Sequence, residues 1–441
     1  MMFFEDELVR GLDLAESLNG EGSRGSSPLR IAFYSHDAQG LGHLRRNLLI
    51  SRSLSAIEPA PSILLLSGLR ETATFGLPEG VDCVTLPSLG KDAAGKYETR
   101  SLGIETDDLI SLRSDLILSA IRSYRPDVLI VDKLPLGVLG ELAPSLAWLK
   151  KHTRARLVVG IRDILDEPET VRREWARDNT IGVIREYYDR VWVYGDRDVY
   201  AIEEEYSIPA DIAAKIRYTG YLNPRDEAVS ASCSRPQQSP SLSEIMDVPG
   251  GSLTLCSIGG GRDGLPLALS FLQSELPAGS GGVLVTGPLM DGEDRALLNA
   301  MVANRPDMRL IEFVTDPEPL LCCADRVISM GGYNSVCEVL ALQKRALIVP
   351  RVTPRREQII RAERFAELGL LDMLHPDQLD GDSLSAWMCS GDAPVRPAET
   401  VLDFRGLSRL PSLLDELRAG RGDSSEFPGI VVRNGKGARH V

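Results

Sequence analysis

The amino-acid sequence predicts an α/β protein made of two doubly wound parallel-sheet domains that face each other across a cleft. Short apolar runs alternate with stretches of helical periodicity, and this alternation occurs twice along the chain. A stretch rich in Ser, Pro and Gln, residues 226–251, separates the two series and reads as a linker. The chain of 441 residues is long enough for two domains that each bury a core of ordinary size.

The first series defines a domain over residues 28–225, after a Gly- and Ser-containing flexible segment at 1–27. Its short, β-branched-rich strands alternate with helices, which is typical of parallel crossover units with both sheet faces covered. The predicted strands are RIAFYS, SILLLS, VDCVTL, DVLIVD, RLVVGIRD and RVWVYG. The predicted helices lie at about 44–57, 106–124, 137–151 and 168–187.

The second series defines a domain over residues 252–400. Its predicted strands are LTLCSIGGG, GVLVTG, RLIEFV, RVISMGG and ALIVPR, and its helices lie near 265–275, 293–303, 317–323, 334–343 and 356–368. Leucines at helical spacing predict a final packing helix within 401–420, before a flexible tail at 421–441. Two such domains place a ligand site at the carboxyl ends of their strands, in the cleft between them.

Charge and apolar patterning exclude several classes of function. The formal net charge of −14 argues against duplex nucleic acid as the main partner. No apolar stretch is long enough to span a bilayer, and the acidic start MMFFEDELVR is unlike a signal peptide, so a cytoplasmic location is predicted. Apolar residues at 3, 4, 8 and 12 would allow peripheral contact with a membrane.

The seven cysteines include no CxxC pair, so they predict core thiols instead of disulfides or a zinc site. Two DxD pairs, Asp196 with Asp198 and Asp380 with Asp382, offer a metal-dependent alternative, although short acidic pairs are common by chance in an acidic chain. The prediction is therefore a site without a metal ion.

The stretch RVISMGGYNSVCEV, residues 326–339, predicts an anion site. Its strand ends at Gly331 and Gly332, and Asn334 or Ser335 is expected to cap the helix that follows. The N–H groups at such a helix start suit a phosphate or diphosphate. Glu338, one turn in, would accept hydrogen bonds from hydroxyls such as those of a ribose, although a glutamate there also suits the helix dipole.

A second glycine loop, LTLCSIGGGRDG at 253–264, adds Arg262 and could flank the same diphosphate. The loop contains GxGxxG, but the next strand ends in Thr286 and Gly287 instead of the acidic residue of a dinucleotide-binding unit. No GxxxxGK[ST] sequence occurs either, which argues against a P-loop ATPase.

A third strand end, VPRVTPRREQ at 349–358, offers Glu357 and Gln358, whose oxygens and amide suit the hydroxyls of a sugar ring. Its three arginines, at 351, 355 and 356, would face phosphate or solvent, and solvent is the better expectation for each one.

These segments resemble the glycosyltransferases with the GT-B fold, most closely the group around MurG, the peptidoglycan N-acetylglucosaminyltransferase. The resemblance covers about residues 253–370, and more loosely RIAFYSHDAQGLGHLRR and PDVLIVDKLPLG in the first domain. The YSHD, GLGH and MGGYN stretches are also similar to a group of predicted bacterial glycosyltransferases.

The resemblance implies a role for each matching segment. Glu338 would bind the ribose of the donor, and Glu357 with Gln358 its sugar. Backbone at Phe313 and Val314 would read a uracil edge. The diphosphate would lie against the second-domain residues Gly260, Gly261 and Arg262 and the first-domain loop that contains Gly40 and Gly42.

The loop SHDAQGLGHLRRN, residues 35–47, would then hold the reacting end of the donor. His43 could take a proton from an acceptor hydroxyl, and His36, Asp37 and Asp132 remain alternatives for the base. Arg45 and Arg46 lie in a first helical turn, where cations are unfavourable, which indicates that they meet an anion.

The predicted activity is transfer of a sugar from a nucleoside diphosphate sugar, UDP-linked by the resemblance, to a hydroxyl of a small molecule, glycan or lipid acceptor. Helix N-termini and arginines would stabilise the leaving diphosphate, so no cofactor or metal is expected, and inversion is implied by the resemblance. The alternatives are a nucleotide-sugar 2-epimerase with the same architecture and a nucleotide-sugar-binding subunit without chemistry.

Overall fold

The structure is a computed structural model that describes residues 28–36, 42–69, 72, 76–91, 97–225, 251–314, 316–391, 396–419 and 431–432. The predicted segment 1–27, nearly all of the predicted linker and most of the predicted tail lie outside these ranges. Asp37 and Gly40 of the GLGH loop also lie outside the described residues.

The first domain contains a parallel sheet of seven strands in the order β10-β9-β8-β7-β1-β3-β4. The chain runs outward from β1 to β4 and then crosses to β7, so the direction of winding reverses between β1 and β7. A crevice opens at such a point beyond the carboxyl ends of the strands. The strands of this half are β1 (Arg30–Ser35), β2 (Ile57–Glu58), β3 (Ser62–Ser67), β4 (Val81–Thr85), β5 (Leu89–Lys91), β6 (Tyr97–Thr99), β7 (Val128–Asp132), β8 (Arg156–Arg162), β9 (Arg190–Tyr194) and β10 (Ile216–Tyr218).

Helices cover this sheet, and two of them differ from the predicted ones. The single helix predicted over 168–187 is wrong, because Asn179 adopts a left-handed conformation with φ of 49° and divides it. The helix predicted from 137 begins only at Ala143, after a 3-10 turn at Val138–Gly140. The helices are α1 (Gly42–Ser55), α2 (Thr106–Tyr124), α3 (Ala143–His152), α4 (Pro168–Arg177), α5 (Thr180–Tyr187), α6 (Ile202–Glu205) and α7 (Ala210–Ala213).

The second domain contains a parallel sheet of six strands in the order β13-β12-β11-β14-β15-β16, so its winding reverses between β11 and β14. The two predicted doubly wound parallel sheets are thus confirmed. The strands are β11 (Leu253–Ser257), β12 (Gly281–Val285), β13 (Met308–Ile311), β14 (Arg326–Ser329), β15 (Arg345–Ile348) and β16 (Asp372–Met373). The helices are α8 (Leu265–Gln273), α9 (Gly292–Val302), α10 (Glu318–Cys323), α11 (Tyr333–Ala341), α12 (Glu357–Glu367) and α13 (Gly381–Cys389).

The last helix, α14 (Gly406–Ala419), returns to the first domain and packs on α1. Its leucines at the predicted positions 407, 410, 413, 414 and 417 are all buried. Ser53 of α1 donates a hydrogen bond to the carbonyl of Leu407 at 2.8 Å. A short strand, β17 (Val431–Val432), pairs with β2, so this part of the predicted tail is in a sheet.

Apolar packing continues from one domain to the other. Tyr221, at the end of the first domain, is buried, and its ring centroid lies 6.3 Å from that of Tyr333 and 5.6 Å from that of Phe365. Both partners belong to the second domain. Within the described residues, no helix is long and apolar enough to cross a bilayer.

A buried ion pair also joins the domains. Arg361 of α12 donates to both carboxylate oxygens of Asp163 at 2.7 and 3.1 Å, and both side chains are almost fully shielded from solvent. Asp163 directly follows β8, at the cleft edge of the first sheet. Because each charge compensates the other in a dry environment, loss of either one leaves an uncompensated charge.

We expect Asp163→Asn to lower the free energy of unfolding by about 3–5 kcal/mol, because it leaves the buried Arg361 charge unpaired. Urea denaturation at neutral pH measures this difference. Asp211→Asn removes the partner of Arg185 in an exposed pair of the first domain and is the matched control, for which no measurable change is expected. Equal stability of Asp163→Asn and wild type would contradict the importance of this contact.

Candidate functional site

A cleft of about 1100 Å³ separates the two sheets. Its described walls come from both domains and include the segments that follow β1, β7 and β8 on one side and β11, β14 and β15 on the other. The winding of both sheets reverses at this cleft, which is where open α/β sheets bind their ligands. Fold topology and cavity therefore indicate the same region.

The first-domain wall holds a cluster of the buried Arg46 and Asp132 with the partly buried His43. Nδ1 of His43 lies 2.9 Å from Oδ2 of Asp132, and Nη2 of Arg46 donates to the two oxygens of Asp132 at 2.7 and 2.6 Å. Asp132 ends β7, whereas His43 and Arg46 lie in the first turn of α1. The anion that Arg46 contacts is therefore a carboxylate of the protein itself and not a group of a ligand.

The carboxylate of Asp132 is held in its charged form. Its burial opposes ionisation, but Arg46 and His43 outweigh that effect and lower the pKa of Asp132 well below its usual range. Nδ1 of His43 also lies 3.0 Å from Arg46, so the ring nitrogen has one acceptor and one donor beside it. The negative charge of Asp132 favours the tautomer protonated at Nδ1, and that tautomer carries its basic lone pair on Nε2.

His36 lies beside this cluster. It is buried, and its ring centroid is 4.8 Å from that of His43. Both histidines line the cleft. Two of the predicted candidates for the base thus share one wall, while Asp132 is committed to Arg46 and His43.

On the facing wall, α11 begins directly after β14 and the Gly331-Gly332 turn. The N-cap residue of α11 is Gly332, and among the described residues no side chain caps the helix, so the prediction that Asn334 or Ser335 caps it is wrong. Asn334 instead donates to the carbonyl of Gly42 in the first domain at 3.1 Å. The two helix starts, of α1 and α11, therefore meet across the cleft.

Glu338 lies in α11 and forms an ion pair with Arg45 of α1, with Nη2 and Oε1 2.7 Å apart. Burial, together with the nearby Asp316 and Glu318, raises the pKa of Glu338, and Arg45 partly offsets this. Both residues line the cleft. A ligand hydroxyl that bonds to Glu338 must therefore compete with Arg45.

The glycine loop after β11 packs against the end of β12. Gly287 has φ of 81°, and a Cβ there would lie 2.2 Å from the carbonyl oxygen of Gly259. Gly260 lines the cleft, whereas Gly261 packs below it and Arg262 is exposed outside the described cleft lining. Of the three residues predicted to contact the diphosphate from this loop, only Gly260 lines the cleft.

Phe313 and Val314 follow β13 and line the same cleft, and the large apolar side chain of Phe313 is exposed. Pro288 and Leu320 also line the cleft. The exposed ring of Phe313 offers an apolar surface suited to a flat ring.

At the start of α12, Glu357 is buried and Gln358 lies next to it in the cleft lining. One oxygen of Glu357 accepts from Arg351 at 2.8 Å, whereas the other is buried and has no hydrogen-bond partner among the described residues. Oε1 of Gln358 accepts from the backbone N–H of Arg351 at 2.9 Å. The carboxylate is ionised: burial opposes this, but the cations at 162, 351 and 361 lower the pKa of Glu357.

The expectation of solvent is wrong for Arg355, which is only partly exposed, whereas Arg356 is exposed as expected. Both side chains reach the first domain. Arg355 pairs with Asp166 and Glu174, at 3.1 and 2.8 Å. Arg356 pairs with Glu167. These contacts extend the link that Arg361 makes with Asp163, so one edge of the cleft is held by charge.

Arg162, which is absent from the predicted site residues, ends β8 and lines the cleft near Glu357 and Arg46. A signal was present, because the same reasoning that singled out Asp132 applies to any charged residue that closes a parallel strand.

The two DxD pairs have structural partners. Asp380 forms a capping box at the start of α13, and Asp196 accepts from the backbone N–H groups of Asp198 and Asp403. The described residues contain no cluster of three or more side chains suited to a metal ion.

We expect Asp132→Asn to lower the free energy of unfolding by about 3–5 kcal/mol at pH 7, since it strips Arg46 of its buried partner. Because the folded-state pKa of Asp132 is depressed, its contribution is complete above the unfolded pKa, near 3.9, and is lost as the pH falls. Urea denaturation from pH 3 to 7 should show the gap between wild type and variant beginning to narrow below about pH 4, by about 1 kcal/mol at pH 3. An equal gap at pH 3 and pH 7 would contradict this, and Asp115→Asn, at an exposed position of α2, is the control.

Comparisons with known proteins find relatives of the second domain. Residues 284–388 match the model of the glycosyltransferase family 28 C-terminal domain. The matching region runs from β12 to α13 and includes α11 and the start of α12.

Curated relatives align over part of the second domain. The UDP-N-acetylglucosamine–N-acetylmuramyl-(pentapeptide) pyrophosphoryl-undecaprenol N-acetylglucosamine transferase of Geobacillus kaustophilus is 32% identical over 92 residues, 20% of this chain and 26% of the relative. The enzyme of the same name from Streptococcus sanguinis is 40% identical over 77 residues, 17% of this chain and 22% of the relative. The chain thus spans about a quarter of the length of these relatives.

Solved structures match over most of the chain. The calicheamicin glycosyltransferase CalG4 has a TM-score of 0.56 at 15% identity and covers 91% of this chain and 100% of its own. A putative UDP-N-acetylglucosamine 2-epimerase from Listeria monocytogenes has a TM-score of 0.59 at 13% identity, with the same coverage. At these identities the likeness shows the fold. The chain therefore has the GT-B fold and resembles the MurG-like glycosyltransferases, through the family 28 C-terminal domain that residues 284–388 match.

Proposed function

We propose that this protein is a metal-independent glycosyltransferase that moves a sugar from a nucleoside diphosphate sugar to a hydroxyl acceptor. The observation that carries the proposal is the opposition of two features across one cleft. His43, hydrogen-bonded to Asp132, lies on the first-domain wall, and the start of α11, which no described side chain caps, lies on the other. The contact of 3.1 Å between Asn334 and Gly42 brings these walls together.

The second-domain wall would hold the donor. The N–H groups at the start of α11, with the positive end of the helix dipole, suit the diphosphate. Glu338 would accept from ribose hydroxyls after exchanging its contact with Arg45, and the unpartnered oxygen of Glu357 would accept from a hydroxyl of the sugar. A uracil base against Phe313 and Val314 agrees with the UDP-sugar named for the relatives.

The first-domain wall would supply the base. Nε2 of His43 takes the proton of the acceptor hydroxyl as its oxygen bonds to the anomeric carbon and the bond from that carbon to the diphosphate breaks. Asp132 stabilises the imidazolium that forms, and the helix start stabilises the leaving diphosphate. Since base and leaving group lie on opposite walls, the attack is in line and inverts the anomeric configuration.

A 2-epimerase of the same fold is the second candidate, and the Listeria structure shares that fold. An epimerase would convert UDP-N-acetylglucosamine without an acceptor, whereas a transferase releases UDP in proportion to the acceptor supplied. A binding subunit would do neither. Chromatography of the nucleotide products separates the three.

A ligand panel tests the proposed donor class. We expect UDP to raise the melting temperature more than GDP, dTDP or NAD, since a ligand at 100 times its Kd stabilises the folded state by about 2.7 kcal/mol. Each nucleotide is measured with and without EDTA, and the UDP response should be the same in both. A response to NAD alone, or one abolished by EDTA, would overturn the proposal.

We expect Glu338→Ala to weaken UDP binding about tenfold, because one charge-assisted hydrogen bond contributes about 1.5–3 kcal/mol and Arg45 already satisfies part of it in the free protein. Titration calorimetry gives the Kd values. Glu363→Ala, at an exposed position of α12, is the matched control and should bind UDP as wild type does. Equal affinity in wild type and Glu338→Ala would remove Glu338 from the donor site.

A further inference from the structure

Arg162 occupies a central place in the first-domain wall. It is the last residue of β8, whose neighbour β7 ends at Asp132. The carboxyl ends of adjacent parallel strands share one edge, so Arg162 lies at the same edge of the sheet as Asp132, two residues beyond Gly160, the register partner of Asp132. The guanidinium lines the cleft, with Glu357 facing it from the second domain.

The surrounding charges already have partners. Arg46 is held by Asp132, Arg361 by Asp163, and Glu357 by Arg351. Arg162 is different: within the described ranges its guanidinium forms no ion pair, and its buried Nε has no hydrogen-bond partner. Glu357 is close enough to influence it electrostatically but does not pair with it.

Arg162 is partly buried, with its Nε shielded from solvent, and a guanidinium withdrawn from water without a counter-charge is costly. Burial and the neighbouring Arg361 lower the pKa of Arg162 to about 10, and Glu357 offsets them only in part. Such a group is expected where a ligand supplies the missing negative charge. The planar donors of arginine suit a carboxylate or phosphate.

Arg162 and the proposed diphosphate site belong to different domains. The diphosphate is proposed to lie at the start of α11, on the second domain. Arg162 lies on the first domain, near Arg361 and Glu357 of the second domain and Arg46 of the base cluster. On this arrangement, we expect a group that reaches Arg162 to belong to the transferred sugar or to the acceptor.

We propose that Arg162 binds an anionic group, a carboxylate or phosphate, that the donor sugar or the acceptor carries next to the transfer position. This inference rests on the proposed function. It requires that one of the two substrates carries an anionic group in addition to the diphosphate. A hexuronic acid donor and a phosphorylated or carboxylated acceptor have the same chemistry at this point.

Titration calorimetry with wild type, Arg162→Gln and Arg162→Lys distinguishes the two sources. In the donor arm, UDP-glucuronate is compared with UDP-glucose. In the acceptor arm, methyl phosphate is titrated into protein saturated with UDP. We expect one arm to show an anion affinity that Arg162→Gln lowers at least tenfold and that Arg162→Lys largely restores, while the affinity for UDP stays within about threefold.

Arg173→Gln, at an exposed site of α4, is the control and should change neither arm. The proposal is overturned if Arg162→Gln weakens anion binding no more than Arg173→Gln does, or if the loss is confined to UDP, which would assign Arg162 to the diphosphate. Methyl phosphate is also titrated without nucleotide. Wild type that binds this anion through Arg162 but binds no UDP would refute the proposed transferase and leave the anion site standing.

Discussion

The buried ion pair between Arg46 and Asp132 is the interaction on which the site depends. Burial alone would raise the pKa of the Asp132 carboxyl and favour its protonated, neutral form. Arg46 lowers that pKa and keeps the carboxylate charged. That charge orients His43. Arg46 also lies 5.5 Å from the ring of Tyr194 and 5.8 Å from that of Tyr333, so the same guanidinium contacts the second domain. Arg46 thus contacts both the Asp132–His43 pair, which holds the proposed base, and the second domain.

The remaining contacts between the two domains are of two kinds, apolar and charged. The apolar part runs through Tyr221, Tyr333 and Phe365, and the charged part through Arg361 with Asp163 and through Arg355 with Asp166 and Glu174. Together these contacts hold the start of α11 opposite the start of α1. Catalysis by positioning needs such rigidity, because both walls must contact one small ligand at once.

Much of the fold follows from the sequence, because strand and helix periodicities are local. The predicted parallel sheets are present, and the leucines of α14 show their buried face directly. Helix ends depend on single backbone conformations: Asn179 splits a helix, and Gly332 rather than a side chain caps α11. Patterns of residue type do not determine such local choices.

Part of the site was also predictable from strand ends. His43, Asp132, Glu338 and Glu357 all line or support the cleft, as their positions after strands or at helix starts predicted. The partners were not predictable, since Arg45 meets Glu338 across 293 residues of sequence and Arg355 meets Glu174 across 181. Long-range pairing of this kind arises from the docking of the domains. The roles of all these residues remain predictions, as do those of Gly261, Arg262, Asp37 and Gly40.

The central claim is that the His43–Asp132 pair performs base catalysis in a cleft that binds the donor independently of it. The most direct measurement compares wild type with His43→Gln for two quantities, the Kd for UDP and the rate of UDP release from a UDP-sugar with a panel of hydroxyl acceptors. The account predicts a Kd within about threefold and a turnover lower by about 10²-fold or more, the usual contribution of general base catalysis. Turnover equal to that of wild type would contradict it.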